Sequence, residues 1–280
     1  MSASHPNESL GPRTAARREL VLTASIVIVL SRLVDGPAVW LVAGLLGGSV
    51  VLSTLWLFGA GQPRSTPVES AILPGLAAVA SLGALRAVPD GLGVLVAVAG
   101  AAVLIDRTLA LELHLHQRVA PPSVDDRTLV LALSIVTGFL AFVGVAVLVQ
   151  GGLISAAGST GSATTTASLT EPGLVVLALA DALVAGLLGF RLSVMGERNR
   201  RTAVLSGLTY AAVVAIAAGA IRAVDLPSLL GPAIVTLVFF LWEEIHGSPP
   251  TQRRDPRWLW QTALLAVLGL AVVAWNVALR

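Results

Sequence analysis

Residues 128–149 read TLVLALSIVTGFLAFVGVAVLV and contain no charged side chain across 22 positions. A helix of about 20 apolar residues is what the hydrocarbon core of a bilayer requires. Comparable apolar runs recur along the whole 280-residue chain. Charged residues make up 12% of the chain, about half the share that is typical of soluble domains. The sequence therefore predicts an all-α, polytopic transmembrane helical bundle and excludes a soluble protein.

We predict nine membrane spans, each near the length that a bilayer needs. They lie at residues 20–34, 37–59, 68–88, 91–111, 128–149, 173–192, 203–221, 228–245 and 258–279. The first is short and carries Arg32 near its end, so eight spans are the alternative. Residues 1–18 are expected to form a disordered cytoplasmic N-terminus, and residues 19–280 a single transmembrane helical domain. Within that domain, the Gly-, Ser- and Thr-rich stretch at 150–171 is expected to be a flexible outer loop.

The arginines predict which side of the membrane each connection faces. With the N-terminus inside, fourteen arginines fall on the inner side and four on the outer side, which is the asymmetry of the positive-inside rule. Nine spans then place the C-terminus outside. The six tryptophans agree, because each lies near the end of a predicted span rather than in its middle. We expect a multi-pass protein of a prokaryotic cell (inner) membrane, with the lipid bilayer as its surroundings.

Two absent residue types exclude whole classes of chemistry. The chain has no cysteine, which rules out disulfides, thiolate metal sites and thiol nucleophiles. It also has no lysine, because all 18 basic residues are arginine, which rules out Schiff-base chemistry. The formal charge of +2 and the pI near 10.3 can indicate nucleic acid, but arginines in a membrane chain indicate orientation instead. We expect no nucleic-acid partner, and the residues identify no cofactor.

Three predicted outer turns share an Arg-x-Val segment that is followed by an aspartate. They are residues 32–37 (RLVDGP), 86–91 (RAVPDG) and 222–227 (RAVDLP). One interpretation is a bundle built from repeated helical hairpins. The other is local capping, in which the arginine favours the C-terminus of one helix and the aspartate the N-terminus of the next. Capping is the favoured interpretation, because the similarity does not extend into the spans.

A charge inside the hydrocarbon is costly, so such residues are candidates for function. Asp181 lies in an apolar run, roughly 12 Å from the outer end of its span by helix rise. By the same measure Thr137, Tyr210 and Thr236 lie near its level. The four residues could bind a cation or relay a proton in a small-solute or ion transporter. The alternative is a protonated Asp181 whose hydrogen bond fixes the packing of helices.

A second group of polar residues lies at two predicted inner helix ends. Glu112 and His116 share a helix face at the spacing i, i+4, and Glu243 and His246 share one at i, i+3. Carboxylates and imidazoles that meet from two helices are ligands of metal sites in bundles. The four residues would then belong to an interfacial metal-dependent enzyme. The simpler interpretation is that water and headgroups solvate these helix ends.

The favoured function is a non-catalytic structural or partner membrane subunit. Most polar residues lie at helix ends, where capping and solvation account for them. The spacing of Gly44 and Gly48 would permit close approach of a helix, within the bundle or from another membrane protein. The transporter and the metal-dependent enzyme are the alternatives.

Overall fold

The computed structural model describes residues 12–59, 68–117, 122–150, 171–196, 199–222 and 229–247, with residues 260, 263, 264, 267, 269 and 271. These parts of the chain form eight α-helices, one 3-10 turn at Ser31–Leu33, and no strand. The helices are α1 (Pro12–Leu30), α2 (Ala38–Gly59), α3 (Glu69–Leu85), α4 (Leu92–Gln117), α5 (Val124–Gln150), α6 (Glu171–Gly196), α7 (Arg200–Arg222) and α8 (Leu230–Gly247). The all-α prediction is confirmed.

Six helices, α2 and α4 to α8, are long and apolar enough to cross a membrane by length and composition. Helix α3 is shorter, with 17 residues, and the first half of α1 carries three arginines and a glutamate. Helices of this kind are compatible with an integral membrane protein, while the nine-span count and the N-in/C-out orientation stay predictions. We use "inner end" for the side where α2, α4, α6 and α8 end, and "outer end" for the opposite side.

Two predicted connections differ in how much of them the structure describes. Helix α1 begins at Pro12, inside the segment 1–18 that we expected to be disordered. The outer loop predicted at 150–171 lies outside the described residues apart from Gln150 and Glu171, which end α5 and begin α6. Of the ninth predicted span, only six residues are described, and all six are helical.

Helix α3 lies at the centre of the bundle, and twelve of its 17 residues are buried. It packs against α1, α2, α4, α5 and α6. Small residues allow this close packing, as at Gly83 of α3 and Gly144 of α5. A methyl group added to either glycine would lie 2.5–2.9 Å from the Cα of the other. The backbones of α3 and α5 are therefore in direct contact, in the manner of small-residue interfaces in membranes.

Two hydrophobic clusters of buried side chains meet at this central helix. The first joins α1, α2, α3 and α4, and the second joins α5, α6, α7 and α8 to α3. Outside the clusters, large apolar side chains face away from the bundle, among them Leu41, Leu45, Val96, Leu183 and Ile216. An apolar surface of this kind suits lipid chains rather than water.

The outer turn after α1 is tied to the outer turn after α3. The guanidinium of Arg32 donates to the carbonyl oxygens of Leu85 at 3.4 Å and of Val88 at 3.0 Å. It also forms an ion pair with Asp90 at 2.8 Å. Arg32 therefore caps the C-terminus of α3, which belongs to the neighbouring hairpin.

The outer turn after α3 makes the reciprocal contacts to the outer turn after α1. Arg86 donates to the carbonyl oxygens of Ser31 at 2.7 Å and of Val34 at 2.9 Å, and pairs with Asp35 at 3.3 Å. An arginine does cap the helix C-terminus at each turn, as the capping interpretation predicts. The prediction that the arginine caps its own helix was wrong, because each arginine caps the helix of the other hairpin. The two hairpins α1–α2 and α3–α4 are thus joined reciprocally. The third such turn lies mostly outside the described residues.

Candidate functional site

A cavity of about 600 Å³ lies between the inner ends of α5, α6, α7 and α8. This volume is in the range of small-molecule sites in proteins. Its apolar wall consists of Val124, Leu131, Leu192 and Met195. Its polar side chains are those of Arg127, Thr128, Ser193, Ser206, Tyr210, Glu243, Glu244 and His246. The cavity is therefore amphipathic, with charged groups contributed by α5 and α8. We call it the inner cavity.

Tyr210 and Glu243 form a polar contact in the lining of this cavity. The Tyr210 hydroxyl donates a hydrogen bond to the Glu243 carboxylate, which joins α7 to α8. The Tyr210 ring is buried and packs against Gly189 of α6, where any side chain would collide with it. The ring of Phe239 lies 5.6 Å from it, centroid to centroid. The chain's single tyrosine is thus held rigidly with its hydroxyl at the acid.

His246 is fixed by aromatic contacts one turn beyond Glu243. Its ring stacks on Trp242, with centroids 5.4 Å apart and an interplanar angle of 19°. It also meets the edge of Tyr210 at 6.0 Å and 79°. Trp242 and His246 are four residues apart on α8, so they share a helix face. The imidazole therefore lies beside the Tyr210–Glu243 contact.

Arg127 supplies the cationic side chain in the described lining of the inner cavity. Its Nη2 donates to the backbone carbonyl oxygen of Met195 at 3.2 Å. Met195 lies in the last turn of α6, where unpaired carbonyl groups favour a positive charge. The arginine therefore already has a partner on α6 while it faces the acids of α8.

Glu112 and Arg191 form a buried ion pair between α4 and α6. Arg191 Nε donates to Glu112 Oε1 at 2.8 Å, and Nη2 donates to Oε2 at 2.7 Å. The Glu112 side chain is 0% exposed and the Arg191 side chain is 5% exposed. Ser70 on α3 lies beside the same carboxylate. Parallel charge-assisted bonds of this kind are strong and geometrically specific.

A neighbouring ion pair links α3 to α7 at the inner end. Arg200 Nη2 lies 2.5 Å from Glu69 Oε2. The Glu69 side chain is 15% exposed and that of Arg200 is 68% exposed, so solvent screens this pair more than the pair at Glu112. The first two residues of the central helix, Glu69 and Ser70, therefore contact partners on α4 and α7.

The four predicted metal ligands have separate surroundings. Glu112 is held in the buried ion pair, and His116 stacks on Phe58 with centroids 4.8 Å apart. Glu243 and His246 line the inner cavity, whose lining includes neither of the other two. Among the residues that the structure describes, no group of three or more His, Asp or Glu side chains could hold a metal ion.

The predicted mid-membrane residues are all buried, at different heights. Asp181 and Thr137 are 0% exposed and Thr236 is 7% exposed. The Thr236 hydroxyl donates a hydrogen bond to the carbonyl oxygen of Pro232 in its own helix. Tyr210 packs on Gly189, eight residues beyond Asp181 on α6, which is about 12 Å of helix rise. Tyr210 therefore lies nearer the inner end than Asp181, and the polar residues are spread along the bundle axis.

Several site residues were missed by sequence reasoning. Arg191 was counted only as a marker of orientation, although it follows an apolar run and precedes the end of α6 by a full turn. A charge in such a place needs a partner, and that signal was available. Ser70, Ser193 and Ser206 carry no comparable signal, because serine is common where transmembrane helices pack.

No family model, curated protein or solved structure matches this chain. The inner cavity and the buried charged residues are therefore what indicate a function.

Proposed function

We propose that the chain is a membrane transporter of a small solute, with the inner cavity as the solute site facing the cytoplasm. The cavity of about 600 Å³ carries this proposal, because it opens between the ends of four helices that could each span the membrane. A space of this size that combines an apolar wall with charged groups has the character of a binding site.

Polar residues extend outward from this cavity along α6 and α8. Thr236 precedes Glu243 by seven residues, about 10 Å of rise, and Asp181 precedes Gly189 by eight residues, about 12 Å. Buried acids in membrane helices commonly mark solute or proton pathways. Asp181 is therefore the group that we assign to coupling, as the mid-membrane charge that a cation or proton would neutralise.

The topology belongs to the same proposal. Nine spans with the N-terminus inside a prokaryotic cell membrane place the inner cavity on the cytoplasmic side. The fourteen-to-four distribution of arginines supports this orientation. In such an arrangement the cavity is in its inward-facing state.

Uptake of radiolabelled solutes into proteoliposomes tests transport directly, whether or not it moves net charge. The assay uses the wild type, Asp181→Asn and the control Asp125→Asn, with choline, alanine, glucose and lactate as trial solutes. Asp125 is exposed in the first turn of α5, so its variant should keep the wild-type uptake. We expect uptake of at least one of these solutes, which Asp181→Asn abolishes while the amount of folded protein is unchanged. No uptake of any of the four, or unchanged uptake in Asp181→Asn, would contradict the proposal.

A non-catalytic partner subunit is the second candidate function, and one surface of α2 favours it. An added methyl group at Gly44 or Gly48 would meet no atom within 4 Å, whereas one at Gly47 would collide with Val79 of α3. The Gly44 and Gly48 face is therefore open to another helix. Leucine at both positions should remove any co-purifying membrane chain, with Gly100→Leu, another open position, as control. An unchanged set of co-purifying chains would count against this candidate.

A further inference from the structure

We infer that the inner cavity binds a monovalent organic cation, a quaternary or protonated amine with an apolar body, and that Glu243 receives its charge. This inference rests on the proposed function in one respect, since it takes the inner cavity as the solute site. It goes further by naming the chemical class of the solute and the side chain that selects it.

The charges of the described lining favour a cation. The acids Glu243 and Glu244 face the cavity from α8, and the single arginine, Arg127, faces it from α5. Counted formally, with histidine taken as uncharged, the two carboxylates and one guanidinium give this lining a net charge of minus one. An anionic solute would meet two carboxylates beside a single guanidinium, one of whose N–H groups already donates to a backbone carbonyl. A single positive charge on the solute would balance the site.

The hydrogen-bonding capacity of Glu243 fits this role. An ionised carboxylate has about four acceptor positions, and the Tyr210 hydroxyl occupies one of them. That contact fixes the carboxylate in place, which reduces the ordering that binding would otherwise require. The remaining acceptor positions can receive N–H donors or lie against a quaternary ammonium.

The opposite wall of the cavity requires an apolar body on the solute. Leu131, Leu192 and Met195 present side chains without hydrogen-bonding groups, apart from the weakly accepting sulfur of methionine. A hydrated inorganic cation would keep water against this apolar wall, so burial of the wall would add nothing to the binding free energy. A bare divalent metal ion is disfavoured as well, because the described residues supply no three-ligand group. An amphipathic organic cation satisfies both sides of the cavity together.

Binding to the purified full chain in detergent tests the inference, with tetraphenylphosphonium as probe in a scintillation proximity assay. Tetraphenylborate has nearly the same shape and the opposite charge, so it separates charge recognition from hydrophobic partition. We expect saturable phosphonium binding that excess unlabelled tetraphenylphosphonium removes and tetraphenylborate does not. Absence of saturable phosphonium binding, or equal competition by tetraphenylborate, would overturn the inference. These measurements use the unmodified chain and so do not depend on any variant folding.

Variants then test whether Glu243 is the side chain that receives the charge of the cation. Glu243→Gln should weaken phosphonium binding at least tenfold, whereas Glu19→Gln, an exposed acid on α1 away from the cavity, should bind as the wild type does. Unchanged affinity in Glu243→Gln would overturn the assignment to Glu243. Saturable cation binding without uptake of any solute would contradict the transporter and support the cation site. Transport of glucose or lactate without phosphonium binding would overturn the cation site and leave the transporter standing.

Discussion

Arg191 on α6 reaches across to Glu112 on α4 and makes two parallel hydrogen bonds, of 2.8 and 2.7 Å, to its carboxylate. Both side chains are almost fully buried. Helix α4 contributes mainly to the first hydrophobic cluster and α6 to the second. The pair therefore connects the two parts of the bundle near the inner end, beside Ser70 of the central helix.

Removing one partner of this pair should destabilise the protein strongly. Arg191→Met leaves the Glu112 carboxylate buried without its counter-charge, and such changes lower the free energy of unfolding by about 3–5 kcal/mol. The double variant Arg191→Met with Glu112→Leu should recover much of that loss, because a buried pair replaced by apolar side chains is often neutral. Unfolding by SDS titration in mixed micelles measures both. A double variant no more stable than the single one would contradict the ion-pair account.

The outer turns allow a comparison between an exposed charge and a partly buried one. Asp90 is 96% exposed in its pair with Arg32, so Asp90→Asn should cost less than about 1 kcal/mol. Arg32→Ala removes the donor to two carbonyl oxygens as well, which should cost about 1–3 kcal/mol. The same unfolding assay measures the difference, and high salt should abolish only the smaller effect. Equal losses in the two variants would show that the carbonyl contacts contribute nothing.

Close contact between α3 and α5 gives a matched pair of glycine substitutions. Gly144→Ala places a methyl group 2.9 Å from the Gly83 Cα, and because backbone cannot move aside easily, we expect a loss of about 1–3 kcal/mol. Gly100→Ala enters open space and should be neutral or stabilising by up to about 1 kcal/mol through helix propensity. Thermal unfolding of both variants in one detergent checks the contrast. Similar shifts of the thermal unfolding midpoint in the same direction in both variants would contradict the role of the α3–α5 contact.

Much of the helical layout was predictable, because apolar runs are a local property of a chain. The span predicted at 37–59 differs by one residue from α2 at Ala38–Gly59. The span predicted at 91–111 lies within α4, and the predicted continuation of that helix through Glu112 to His116 is confirmed, since α4 ends at Gln117. Glu112 stays inside the helix and the protein interior because its charge is matched by Arg191.

The site was predictable only in part, since its contacts join distant segments. Glu112 and Arg191 are 79 positions apart, and no spacing rule relates them. Likewise the turn motif at Arg32 and Arg86 was visible, but capping rules are local and do not reveal that two hairpins exchange their arginines. The inner cavity is a space left between four helices, so no single segment encodes it. Glu243 was identified as a polar residue of interest, but its partner Tyr210 was placed at another height.

Accessibility of single cysteines can establish the orientation, because the chain has no cysteine of its own. Pro89 in the outer turn before α4 and Pro122 before α5 are both exposed, so cysteine at either position should react without disturbing the bundle. A membrane-impermeant maleimide applied to intact cells should label Pro89→Cys. Pro122→Cys should react only after the membrane is permeabilised, since α4 is predicted to cross the bilayer between the two sites.

The same reagent tests the ninth span. With nine spans the C-terminus lies outside, so Arg280→Cys should be labelled in intact cells together with Pro89→Cys. Labelling of Arg280→Cys only after permeabilisation would remove the ninth span from the topology, and labelling of Pro122→Cys alone in intact cells would invert the orientation. An inverted protein would place the inner cavity on the external face, so the cavity's solute would have to arrive from outside the cell rather than from the cytoplasm.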